Sequence, residues 1–197
     1  MSDAKDFTAR ILGAFMLADQ VSVESLDPDS DAYIKAKMME ERFTAGVDFL
    51  RTKFPNDHVR ALMTLAWDAI GSKRVPTALG PPVKTIVVAV LQTGQAAIFL
   101  PHDWLGMVAQ DAAMQLGALV FIGSQAVDIL AGRHFVDPDK IIPRARANEA
   151  EYLITLREAG MALNPYQKAV VAEYPRGLAS DGVAAMLYPM SPCPAPS

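Results

Sequence analysis

PHDWLGMVAQDAAMQLGALVFIGSQAVDILAG, residues 101–132, holds only three charged side chains, Asp103, Asp111 and Asp128. Asp103 follows Pro101-His102 and suits an N-cap, and the helical pattern that starts there reaches about Gly132. With so few polar positions the helix has no wide solvent-facing stripe, so it reads as a long central helix, mostly buried. Gly106, Gly117 and Gly123 thin it at intervals. Small residues allow close helix contacts. Each also weakens a helix by about 1 kcal/mol relative to alanine, so the sequence allows a break near Gly117 or Gly123.

Helical patterns flank this segment on both sides. Toward the C-terminus, Val136-Asp137-Pro138-Asp139 reads as a turn, and Ile141 to Gly160 as a helix with Ala150, Leu153, Ile154 and Met161 inward. Asn164-Pro165 opens another helix to about Tyr174, with Asn164 as cap and proline in the first turn. A short helix is expected from Ser180 to Leu187, and a disordered proline-rich tail over 191–197. Toward the N-terminus, residues 4–20 form a first helix and Ser30 to Phe54 a second, with Met39, Phe43, Val47, Leu50 and Phe54 on one stripe. Pro55-Asn56-Asp57 stops that helix and caps a third, whose apolar face runs through Val59, Leu62, Met63, Ala66, Trp67 and Ile70 to Gly71.

Between the third helix and the central one, Gly71 to Pro82 is rich in glycine and proline, which exclude a helix there and make an ordered surface loop. Val83 to Leu100 is the oiliest window, with Lys84 its only charge. Gln92-Thr93-Gly94-Gln95 at its centre makes a poor membrane span, since about 20 mostly apolar residues are needed to cross a bilayer. One buried helix or two short ones is the expectation here. Ile86-Val87-Val88-Ala89-Val90-Leu91 is the one β-like run, with no alternating partner strand evident. Ala66-Trp67, the loop through Pro81-Pro82 and the oily segment after it resemble a bacterial family of small helical proteins of unknown function, over about residues 58–134. That resemblance implies a helical fold and brings no catalytic residues with it.

Hydrophobic residues make up 51% of the 197 residues and charged ones 20%, an apolar excess that marks either a deeply buried helix or a surface covered by a partner. Ten methionines suit core gaps or adaptable binding surfaces. The net charge is −4, and the basic residues are scattered, Lys73-Arg74 and Arg144/Arg146 being the densest spots. Nucleic-acid binding is therefore not expected. The single cysteine, Cys193, forms no internal disulfide, and Met1-Ser2-Asp3-Ala4-Lys5-Asp6 lacks the features of a signal peptide, so the expected compartment is the cytoplasm.

The chemistry-bearing motifs are few. His58, His102 and His134 stand apart, without the paired spacing of a zinc site. Asp27-Pro28-Asp29-Ser30-Asp31 lacks the mid-loop glycine and closing glutamate of a calcium loop, and capping accounts for these aspartates. There is no Gly-x-Ser-x-Gly elbow and no glycine-rich phosphate cradle. No metal or cofactor is expected. An aspartate on an apolar helix is costly unless paired, so Asp111 is a candidate anchor for a polar site with His102 or an arginine. Arg74, at a helix end, suits an anion or the helix C-terminus. Trp104 follows a loop and is a candidate interface residue.

These observations lead to an all-α, single-domain, irregular helical bundle of about six to eight helices with a long central helix, spanning residues 1–190. The function expected is that of a non-enzymatic adaptor or assembly component acting on a protein partner or on a second copy of itself, for example as an accessory to a bacterial secretion system. The alternative is a small-molecule or enzymatic site near the start of the central helix, built from Arg74, His102, Asp103, Trp104 and Asp111.

Overall fold

Val47, Leu50 and Phe54 recur at helical spacing, and all three are buried in the computed structural model of the chain. The structure describes residues 29, 44–72, 74–75, 77–79, 87–90, 96–100 and 112–176. The helices expected at 4–20 and 180–187 and the tail at 191–197 lie outside them. Residues 44–52 form α1. Asn56 caps α2, Asp57–Gly71, accepting a hydrogen bond from the Val59 backbone N–H at 3.0 Å. The α2 face from Val59 to Ile70 is buried as its spacing predicts, Trp67 included.

Three short strands follow: β1 (Thr77–Leu79), β2 (Val87–Val90) and β3 (Ala96–Leu100). They form one sheet in the order β1-β3-β2, with β3 parallel to β1 and antiparallel to β2. Val88 pairs with Ile98, and Val87 with Phe99. The expectation of one or two helices over Val83 to Leu100 is thus corrected. Residues 87–90 are mostly β-branched, which disfavours helix and suits a pleated sheet. Consecutive residues Ala96, Ala97 and Ile98 are all buried. A strand covered on both faces shows no apolar-polar alternation, so its sequence looks like any other oily run.

The central helix, α3, covers Ala112–Leu130 and passes Gly117 and Gly123 without a break. Every residue from Leu119 to Ile129 is buried, because α2, the sheet through β3 and the following long helix surround it. It is long and apolar enough to cross a membrane, and 67% of its 18-residue apolar stretch is buried inside the fold. Gly132, at φ 70°, turns the chain in the left-handed region that glycine tolerates best. The short helix α4 (Arg133–Val136), a 3₁₀ turn (Pro138–Lys140) and α5 (Ile141–Glu158) follow. Met161, expected inward, is 48% exposed, because α5 ends at Glu158 and Gly160 at φ 87° redirects the chain before it. Asn164 then caps α6 (Pro165–Glu173) in a reciprocal capping box with Gln167. The described residues are predominantly helical, with this one small sheet.

Candidate functional site

Of the residues singled out from the sequence, His102, Asp103, Trp104 and Asp111 lie outside the described residues. Arg74 is exposed beyond the end of α2, where its Nε donates to Ser72 Oγ at 3.0 Å. Among the described residues, no group of three or more His, Cys, Asp or Glu side chains gathers in a way that would hold a metal ion.

Polar chemistry is instead concentrated along the seam between α3 and α5. Asp128, almost wholly buried, accepts from Arg133 Nη1 at 3.1 Å and from Arg144 Nε at 2.7 Å. Arg144 also lies 3.6 Å from Asp137, which pairs with Lys140 at 3.0 Å. Burial pushes the Asp128 carboxyl above its ordinary range, and the two guanidiniums pull it back in part. One turn further along α5, Asn148 Nδ2 donates to Ser124 Oγ at 2.8 Å and to the Arg144 carbonyl at 3.0 Å. Its Oδ1 lies 2.6 Å from His58 Nε2, and an amide oxygen only accepts, so the imidazole donates through Nε2.

Glu149 completes the seam. Arg146 Nη1 donates to it at 2.5 Å, and Tyr166 of α6 donates its hydroxyl at 3.2 Å. The Arg146 guanidinium also bonds the Tyr166 oxygen and lies 4.4 Å from the Phe121 ring centroid, a cation–π contact. Burial holds the Glu149 carboxyl above its usual range. Burial, and then the charge of Glu149, push the Tyr166 hydroxyl up to about 12.

This seam does not have the form of a catalytic centre. Ser124, the only hydroxyl in reach of the His58–Asn148 pair among these contacts, is 2% exposed and inaccessible to a substrate. The carboxylates are engaged by arginines, so the network works as a clamp. Asp128 ties the end of α3 to the start of α4 and to α5. The corner it fixes carries Leu130, Phe135, Val136 and Ile142, four large apolar side chains that face solvent. Phe135 and Val136 are 65% and 85% exposed, and the His134 ring lies 3.9 Å from that of Phe135.

Sequence reasoning passed over both features. The rule that led to Asp111, that an aspartate on an apolar helix needs a partner, applies equally to Asp128, with Arg133 five residues on. No local signal marks the exposure of Phe135 and Val136, which in sequence merely lead into and open a turn. No family model matches this chain, and no curated protein or solved structure matches it either.

Proposed function

We propose that this chain is a protein-binding helical domain, an adaptor or assembly component, and that the α3–α4–α5 corner is its contact surface. The observation that carries this reading is the exposure of Phe135 and Val136 on a corner clamped by the ion pairs of Asp128. Leaving apolar surface in water forfeits about 25 cal/mol per Å², which a partner covering it recovers. A rigid aromatic anchor loses little conformational entropy on binding, which is why such residues dominate interface energies. The occupant is another protein or a second copy of this chain.

The test compares wild type with a Phe135→Ser/Val136→Ser variant. Both are expressed at native level, purified by affinity, and examined by quantitative mass spectrometry and by light scattering for self-association. Wild type is expected to retain a stoichiometric partner or to self-associate. The variant is expected to bind at least about tenfold more weakly, a loss of about 1.4 kcal/mol, with an unchanged thermal melt. Equal retention by both chains rules out the corner as the contact.

A further inference from the structure

A cleft of about 580 Å³ lies between the end of α5 and α6, away from the apolar corner. Ile154, Arg157 and Glu158 line it from α5 at i, i+3 and i+4, and Lys168, Val171 and Ala172 line it from α6 at the same spacing. Each set therefore occupies one helical face, and the two faces meet across the cleft. Ile154, Leu163 and Val171 are buried and form an apolar floor, and Met161 stands half exposed beside them.

The rim is charged and unbalanced. The lining sets three cations, Arg157, Lys168 and Arg176, against one carboxylate, Glu158, which Arg176 already engages at 2.9 Å while it also reaches Glu151 at 3.5 Å. Arg157 and Lys168 have no carboxylate within ion-pair distance among the described residues, which leaves two unpaired cations over an apolar floor. The volume falls within the range of roughly 300–1,000 Å³ usual for small-molecule sites. An occupant that matches this surface has an apolar body and a single anionic end.

We propose that this cleft binds a monomeric aliphatic carboxylate, with the alkyl chain on Ile154, Leu163 and Val171 and the carboxylate against Arg157 and Lys168. Arginine and lysine meet a carboxylate with charge-assisted hydrogen bonds, and the pairing strengthens as the bound chain excludes water. Each methylene that reaches the floor raises affinity about fourfold, until the floor is filled.

The experiment titrates the full chain with decanoate, decylamine and acetate, each kept below micelle formation, using calorimetry and amide chemical shifts. Decanoate is expected to saturate at one site, with shifts concentrated in α5 and α6, while acetate and decylamine bind at least tenfold more weakly. An Arg157→Gln/Lys168→Gln variant should lose tenfold or more in decanoate affinity. Ala172→Trp, at an exposed lining position, should block the site without changing the thermal melt. Absence of saturable decanoate binding overturns the proposal. So does equal binding of decylamine, which would mean that the rim charge selects nothing, or equal binding by both variants.

Discussion

Where α3 meets α2, Gly123 lies under Met63 and Ala66, and a Cβ there would sit 2.9 Å from Met63 Sδ and 3.3 Å from Ala66 Cβ. Where α3 meets α5, Ser124 bonds Asn148, Asp128 bonds Arg144, and a Cβ at Gly117 would meet Tyr152 and Glu149 at ordinary contact distance, 3.5 and 3.6 Å. One side is held by close apolar packing, the other by directional polar bonds. Apolar packing supplies most of the burial energy but tolerates sliding and repacking. Buried polar pairs add little net stability against a hydrophobic equivalent, yet they penalise any arrangement that leaves a partner unmet. In this helix the polar side therefore specifies how α3, α4 and α5 sit together, and the apolar side holds the assembly closed.

The strongest test of the polar side removes its deepest group. Asp128→Ala should lower unfolding stability by about 3 kcal/mol in chemical denaturation, because it leaves two arginines at the corner without their shared carboxylate. Asp128→Leu combined with Arg144→Met should recover part of that loss, since an apolar pair of similar volume carries no unmet charge. A loss below about 1 kcal/mol for the alanine variant would mean that the corner is not held by this network.

The two glycines separate the sides more finely. Gly123→Val should cost about 2 kcal/mol, since Met63 must move and Ala66 has no flexible end to yield. Gly117→Ala meets nothing closer than 3.5 Å and should stabilise the protein by up to about 1 kcal/mol through helix propensity alone. Thermal melts of the two variants check this directly. If both substitutions shift the melt in the same direction, the packing difference between the sides is not as described.

What was legible in the sequence follows the same division. Local signals carried far: Asn56 and Asn164 as caps, Gly71 and Gly132 as stops, and the α2 stripe through Trp67 all depend on residues within a turn or two of one another. Pairings across the chain did not. Asp128 and Arg144 are 16 positions apart, and His58 and Asn148 are 90, so no local spacing announces either bond. The sheet was missed because β3 is buried on both faces, and its nearest sequence signal, the valine run of β2, has no alternation to distinguish it from a core helix. As for the site, Arg74 lies beyond the end of α2 and bonds Ser72, and its companions His102, Asp103, Trp104 and Asp111 lie outside the described residues. The exposure of Phe135 and Val136 is set by how the corner is tied down, which their own neighbours in sequence do not encode.

The smallest effect expected concerns the outer end of the polar seam, where α6 is pinned to α5. The Tyr166 hydroxyl titrates at about 12 in the folded chain, against 10.0 for a free side chain, because of burial and the nearby Glu149 charge. Between those two values the unfolded chain has lost this proton while the folded chain keeps it. The unfolded state therefore binds fewer protons there, and stability falls as pH rises through the window. Below about pH 10 the contribution is fully present, and above about pH 12 it is gone. Tyr166→Phe removes the titrating group and also the bond to Glu149. The variant should be somewhat less stable at neutral pH yet lose less on going from about pH 9 to about pH 11, the other tyrosines being common to both chains. Urea denaturation at the two pH values measures both differences. Equal alkaline losses would mean that burial and the Glu149 charge do not hold the Tyr166 hydroxyl above its ordinary range in solution, and that this end of α6 is not packed onto the seam.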